Sequence, residues 1–213
     1  MKCKLCSYQN LQEIRHNGEL YYFCPLCEFI FLKEEFIPGP HKERARYEEH
    51  DNTHQNEGYV HMFEKFITAV IEPRASEIDN VLEFGCGPGP VLADLLEEKG
   101  FTVDKYDPYF FPCKVFTGKK YDLITVTEVY EHLQDPLKIT EMLISHLKQG
   151  GFLALMTSFH PGPDKFKDWW YKWDPTHICF YSARTFAWLA ARFNLELVLL
   201  KESKYCLFKK QEH

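Results

Sequence analysis

Several groups of residues in this chain have the types and spacing that chemistry requires. Glu83-Phe84-Gly85-Cys86-Gly87-Pro88-Gly89 alternates glycine with other residues directly behind the apolar pair Val81 and Leu82. Glycines permit backbone angles and close approaches that a Cβ blocks, so this turn can wrap a ligand. A dinucleotide turn needs Gly-x-Gly-x-x-Gly, and here the third glycine comes one residue early. Glu83 would also repel a diphosphate and suits a cationic ligand with an amino group. Cys3-Lys4-Leu5-Cys6 and Cys24-Pro25-Leu26-Cys27 form two Cys-x-x-Cys knuckles with residues 7–23 between them, a spacing that fits zinc. Four thiolates make a closed shell, so Cys3, Cys6, Cys24 and Cys27 predict a structural ion rather than a catalytic one. Glu128, Glu131 and His132 stand at i, i+3 and i+4 and would share one side of a helical turn. An imidazole group titrates near neutrality, which makes His177 a candidate general base for a hydroxyl or amine nucleophile; the alternative is that it pins its loop by hydrogen bonding.

The surrounding sequence must position these groups. Val81, Leu82 and Phe84 are strand formers. Val91, Leu92, Leu95 and Leu96 give one helical face, with Pro90 at its start and Gly100 at its end. Strand, glycine turn and helix is how an α/β domain wraps a nucleotide. Residues 101–106 read as a second strand ending at Asp107-Pro108, and a carboxylate about 20 residues beyond the glycines is where a ribose is gripped. Residues 114–117 are expected to hold a third strand, 121–127 a fourth and 152–157 a fifth. Asp135 and Pro136 open a helix whose buried face is Thr140, Leu143, Ile144 and Leu147, with Gly150-Gly151 expected to end it. Ser182 caps another helix, and residues 195–201 and 204–209 are spaced as a closing hairpin.

Ahead of the first strand, Tyr59, Phe63, Phe66, Ile67, Val70 and Ile71 recur at helical spacing. Tyr47, His50, His54, Gln55 and Tyr59 are candidates for a lid, or for a solvated connecting helix. Residues 160–182 form an aromatic insert at the carboxyl edge of the sheet. His160, Trp169, Trp173 and Tyr181 are its candidates for a substrate pocket, since aromatics supply apolar walls with polar tips.

Composition narrows the function. The net charge of −6 over 213 residues argues against a nucleic-acid surface, which normally shows a basic excess. No apolar run reaches membrane-spanning length and the start of the chain lacks a signal-peptide pattern. Cysteines outside the knuckles are scattered singly, as in reduced proteins, so a cytoplasmic location is expected.

The run from Glu83 to Gly89 resembles the first motif, Glu/Asp-x-Gly-x-Gly-x-Gly, of the class I S-adenosylmethionine-dependent methyltransferases. That resemblance implies that Glu83, Gly85, Cys86, Gly87 and Gly89 hold the amino-acid portion of S-adenosyl-L-methionine. Asp107 and Pro108 would then meet its ribose, and Thr127 and Glu128 its methionine end. The third motif departs from the family, with no acidic residue evident for the adenine; backbone groups and Phe116 are left for it. Glu-Val-x-Glu-His-x-x-Asp-Pro at 128–136 resembles the small-molecule branch, including ubiquinone-biosynthesis O-methyltransferases. In some of those a Glu/Glu/His set binds a divalent metal, an alternative use of Glu128, Glu131 and His132. Asp-Pro-Thr-His-x-x-Phe-Tyr-Ser at 174–182 resembles a run that borders the active site in many methyltransferases.

The implied fold is α/β: a Rossmann-like, doubly wound, mostly parallel sheet of seven strands with an antiparallel C-terminal hairpin, behind a small zinc ribbon. The expected division is 1–34 ribbon, 35–75 linker and lid helices, and 76–213 cofactor-binding domain. The implied reaction is direct S_N2 transfer of the sulfonium methyl group to a hydroxyl or amine of a small-molecule acceptor. Rival readings are an RNA base methyltransferase that uses the ribbon to hold RNA, and a non-catalytic cofactor-binding scaffold. Oligomeric state is not legible.

Overall fold

The computed structural model describes residues 1–49 and 52–211. Its centre is a six-stranded sheet of β4 (Asn80–Phe84), β5 (Thr102–Tyr106), β6 (Tyr121–Thr127), β7 (Leu147–Met156), β9 (Leu195–Lys201) and β10 (Tyr205–Lys210). The spatial order is β5-β4-β6-β7-β10-β9. β5, β4, β6 and β7 run parallel, while β10 is antiparallel to both β7 and β9. The fold is the expected Rossmann-like α/β sheet with an antiparallel C-terminal hairpin.

Both faces of the sheet are covered, which explains its continuous apolar strands. Val81, Leu123 and Phe152 face one core with Phe66, Ile67 and Leu92. Their chain neighbours Leu82, Ile124 and Leu153 face the other, with Leu143, Phe186 and Leu189. This alternation is the strand period of two, and it places α2 (Glu57–Phe66) and α3 (Val91–Glu98) on one face. α4 (Pro136–Ser145) and α5 (Ala183–Phe193) cover the other. The apolar periodicity over 58–71 is met by α2 followed by a π-helical turn, Ile67–Ile71, with Asn56 accepting from Tyr59 N as the cap. Ser182 caps α5 in a reciprocal capping box with Thr185.

Two expectations need correction. The central sheet has six strands rather than seven among the described residues, because residues 115–118 form a turn. Phe116 uses that turn to pack against Phe84 and Tyr106. Gly150 and Gly151 do not end α4; they lie inside β7. There β6 advances from Tyr121 to Leu123 while its partner advances from Leu147 to Phe152, and Gly150, at φ 74°, supplies the bend.

The N-terminal module forms a second sheet of β1 (Gln12–His16), β2 (Glu19–Phe23), β3 (Ile30–Leu32) and β8 (Cys179–Phe180), in that order. Its fourth strand therefore comes from the far end of the chain. Ile30 pairs with Phe180 and Phe31 with Cys179. This sheet crosses the division expected at residue 34. No described helix is long and apolar enough to cross a membrane.

Candidate active site

The sheet order reverses at β4: the chain steps to β5 on one side and β6 on the other, which opens a crevice at the carboxyl ends of these strands. A cavity of about 1020 Å³ lies there.

The glycine turn forms its floor. Gly85 has φ 83°, and a Cβ on it would come within 2.3 Å of Val129 Cγ2. Gly85 and Cys86 donate their N–H groups to Tyr106 O at 2.7 and 3.2 Å, and Gly87 N donates to Asp107 Oδ2 at 3.0 Å. Asp107 Oδ1 accepts from Tyr109 N and Phe110 N at 2.8 and 3.1 Å. Gly85, Cys86, Gly87, Asp107 and Pro108 all line the cavity.

Glu83 and Gly89 are not among the lining residues. Glu83 is buried in β4 behind the turn, and its carboxylate accepts from Ala93 N at 3.1 Å, tying the first turn of α3 to the strand. Burial pushes its carboxyl up to about 8. Gly89 is required by crowding: a Cβ there would lie 1.8 Å from the backbone oxygen of Asn52.

At the end of β6, Thr127 and Glu128 line the cavity. Glu128 takes left-handed backbone angles, φ 52°, which turn the chain sharply out of the sheet. Tyr171 joins two carboxyl groups: its hydroxyl lies 3.0 Å from Glu128 Oε2 and also bonds Glu131 Oε1. The single phenolic hydrogen is shared between two buried carboxyls, a setting that disfavours two negative charges at once and favours a proton on the pair. Burial raises the affinity of both carboxyls for protons, and for Glu131 the neighbouring Glu128 charge adds to it. Glu131 Oε2 is buried without a partner.

His132 Nδ1 lies 2.9 Å from Thr176 O, and His177 Nδ1 lies 2.6 Å from Tyr171 O. A carbonyl only accepts, so Nδ1 carries the hydrogen in each ring and Nε2 is the unprotonated nitrogen of the neutral form. Burial, aided by His177, pushes His132 down to about 3, so it is neutral at ordinary pH. A carboxylate oxygen of Glu131 and a ring nitrogen each of His132 and His177 lie within 4.8 Å of one another. The fold thus gathers Glu131 and His132 with His177, while Glu128 is engaged by Tyr171.

Helix α1 (Pro40–Glu48) and the start of α2 roof the cavity. Tyr47 packs edge-on against His132, with ring centroids 5.1 Å apart. Its hydroxyl and that of Tyr109 both donate to Glu43, at 2.9 and 2.6 Å. Arg46 reaches Asp174 at 2.9 Å, which ties the roof to the loop bearing His177. Tyr59 lines the cavity beside Met62. His54 bonds Asp94 at 2.9 Å. His50 lies outside the described residues.

Of the insert's candidates, only Trp173 lines the cavity. His160 turns away to Glu28 O, Tyr181 donates to Tyr130 O at 2.9 Å, and Trp169 packs on Tyr171 and Phe180. Trp170 and Tyr171 line the cavity instead, and neither was singled out from sequence. The signal for Trp170 was its spacing of three from Trp173, which puts both on one side of a 3₁₀ turn. Nothing local marked Tyr171, Glu43 or Tyr109, because their roles arise from contacts between distant segments.

The four N-terminal cysteines converge. Cys3 and Cys27 Sγ atoms lie 3.6 Å apart, and those of Cys6 and Cys24 3.4 Å. Four sulfurs around a zinc ion with Zn–S bonds of about 2.3 Å would be about 3.8 Å apart, so this cluster fits the metal closely. Each knuckle ends in a left-handed residue, Ser7 at φ 60° and Glu28 at φ 57°.

A methyltransferase domain family profile matches residues 42–200. A search of curated protein sequences returns no match. Among solved structures, an O-methyltransferase family protein from Burkholderia thailandensis superposes with a TM-score of 0.55 at 13% identity, covering 81% of this chain; the chain spans only 61% of that protein. The plantazolicin methyltransferase BpumL, solved with a pentazolic desmethylPZN analogue and S-adenosylhomocysteine, gives a TM-score of 0.54 at 11% identity, covering 81% of this chain and 92% of its own. The family match spans the glycine turn, the strand ends and the cavity they form, and the chain belongs to the methyltransferase domain family.

Proposed function

We propose that this enzyme methylates a hydroxyl or amine of a small-molecule acceptor, with a structural zinc ion on Cys3, Cys6, Cys24 and Cys27. The observation that carries the reading is the cavity of about 1020 Å³ at the carboxyl ends of β4, β5 and β6. Its size is at the top of the range of about 300–1,000 Å³ for drug-sized ligands, enough for donor and acceptor side by side. The similar enzyme BpumL is described with S-adenosylhomocysteine and an azole-containing compound together.

When bound, S-adenosylmethionine supplies the electrophilic methyl group; the chain's residues hold it and exclude water. The turn at Gly85–Gly87 would hold its amino-acid portion, and Thr127 and Glu128 would line its methionine end. Asp107 Oδ1 already accepts two backbone hydrogens and Oδ2 one, which leaves an acceptor position on Oδ2 for a ribose hydroxyl. Trp170, Tyr171 and Trp173 form the acceptor wall. In the transfer, the acceptor's lone pair forms the new bond to the methyl carbon as the carbon–sulfur bond breaks, and the acceptor's proton passes to a base. His177 is the candidate, with its Nδ1–H held by Tyr171 O and Nε2 as the basic nitrogen. Alignment supplies most of the acceleration in such a transfer.

Charge supports a small acceptor over RNA. Carboxyl groups of Glu43, Asp107, Glu128, Asp135 and Asp174 line the cavity, and its one guanidinium, Arg46, is already paired with Asp174 and Glu49. A polyanion would be repelled. Reduced thiols at the four cysteines outside the cluster, Cys86, Cys113, Cys179 and Cys206, support a cytoplasmic enzyme.

The test is mass spectrometry of a metabolite extract and of RNA, each incubated with the enzyme and methyl-labelled donor. Label in a small molecule is expected; label confined to RNA would overturn the reading. In calorimetry, Asp107→Ala is expected to weaken S-adenosylhomocysteine at least about tenfold, since a carboxylate accepting charged or multiple hydrogen bonds is worth about 1.5–3 kcal/mol. Equal affinities would remove the ribose role. Elemental analysis of the purified protein is expected to give about one zinc per chain, falling towards zero in the double variant Cys24→Ser/Cys27→Ser.

A further inference from the structure

We propose that Glu28 is a positioning residue, the clamp through which the four-cysteine module fixes the acceptor wall. The proposal rests on the methyltransferase reading above, because that reading assigns the wall to the acceptor.

The wall belongs to an insert that leaves the sheet after β7 and returns at α5. Glu28 holds it at both ends. At the start, His160 Nε2 donates to Glu28 O at 2.6 Å. At the finish, Ser182 Oγ donates to Glu28 Oε2 at 2.9 Å, with Arg184 at 3.8 Å from Oε1. Beside it, Thr185 Oγ1 donates to Cys27 O at 2.9 Å. One residue of the module thus gathers chain segments more than twenty positions apart in the insert, and the intervening stretch carries Tyr171, Trp173 and His177 to the cavity.

Glu28 is placed by the knuckle. Its N–H donates to Cys24 O at 2.8 Å, Cys24 N donates to Phe29 O at 2.9 Å, and its left-handed φ of 57° follows directly from the turn that brings Cys24 and Cys27 together. Metal on those sulfurs would lock the turn, and therefore the clamp. The middle of the insert is held from the same side. Leu32 N donates to Ile178 O, and Ile178 N donates to Glu131 O, both at 2.8 Å. The module and the Glu131 backbone are thus joined by hydrogen bonds through Ile178, the chain neighbour of His177. The glycine turn is tied instead to Tyr106 and Asp107. The glycine turn therefore has a support of its own, and the wall meets the cofactor side through Tyr171 and Glu128.

The test compares Glu28→Ala, Glu28→Gln and His160→Ala in the full-length metal-loaded protein. Alanine bears the same left-handed backbone cost as glutamate, so Glu28→Ala removes the carboxylate arm alone. Glutamine keeps an oxygen for Ser182 and is the rescue. Hydrogen exchange over residues 166–180 is expected to speed up at least about tenfold in Glu28→Ala and His160→Ala, and to stay near wild type in Glu28→Gln. Chelation of the metal should reproduce the acceleration. S-adenosylhomocysteine affinity should stay within about threefold of wild type in every case, because the floor has its own support. Unchanged exchange in Glu28→Ala, or acceleration spread equally over β4 and α3, would overturn the clamp. Failure of the wild-type protein to bind S-adenosylhomocysteine would sink the methyltransferase reading and leave the exchange result standing as a statement about the fold.

Discussion

Gly89→Ala is expected to lower both stability and cofactor affinity. Gly89 does not have positive φ, so the alanine backbone conformation is available, and the whole effect comes from space. The added Cβ would sit 1.8 Å from the backbone oxygen of Asn52 and 3.0 Å from its carbonyl carbon. Backbone cannot rotate aside as a side chain can, so either the glycine turn or the segment ahead of α2 must move. Overpacking of this kind costs about 1–3 kcal/mol. For a chain of this length about 2 kcal/mol corresponds to a Tm lower by about 4–8 °C. Because Asn52, Gly87 and Tyr59 line the same cavity, the displacement should also weaken S-adenosylhomocysteine at least about tenfold. Thermal melts with and without S-adenosylhomocysteine check both parts. An unchanged Tm with unchanged affinity would mean that the Asn52 segment does not press on the turn.

Tyr171→Phe is the second large effect, and its size depends on pH. The phenol hydroxyl is the shared partner of Glu128 and Glu131, and Glu131 Oε2 already lacks one. Removing it leaves buried carboxyl oxygens unpaired at a cost of about 1–3 kcal/mol for the neutral groups and more for an ionised one. Burial holds the folded-state affinity of both carboxyls for protons above the unfolded value. A raised carboxyl contributes stability that is complete below its unfolded pKa and is lost as pH rises through the folded one. For Glu128, whose carboxyl is pushed up to about 7, that window runs from the ordinary carboxyl range to near neutrality. The hydroxyl stabilises the ionised form, so its removal matters most once the pair has begun to lose its proton. The Tm gap between wild type and Tyr171→Phe is therefore expected to widen from about pH 5 to about pH 8. A gap constant across that range would show that the pair never ionises in the folded protein.

Much of this protein is legible from local sequence. The alternating glycines behind Val81 and Leu82 specify a turn that only residues without a Cβ can make, and the structure uses Gly85 for left-handed angles and Gly89 for close approach. Asp107 is legible for a similar reason: a carboxylate just past β5 meets the backbone N–H groups of the first turn because parallel neighbours end together. The Cys-x-x-Cys pairs encode their own convergence, since each knuckle brings two sulfurs to one side within four residues. Helices α2 to α5 and the closing hairpin follow from the periods of their apolar residues, whereas α1 has no buried residues and no such period.

What only the tertiary structure decided is which polar side chains meet. Glu83 carries the family's acidic position, yet burial behind the turn commits it to Ala93 N. His160 and Tyr181 sit in an insert rich in pocket-like residues, but the fold spends them on Glu28 and Tyr130. Tyr171 carries no motif and nonetheless joins Glu128 to Glu131. The union of β3 with β8 brings residue 31 to residue 179, a pairing that no window of sequence contains. Backbone geometry is set by neighbours along the chain, so spacing reveals it. A buried hydrogen bond is set by whichever donor and acceptor the packed layers bring together, and that is fixed only when the whole chain has closed.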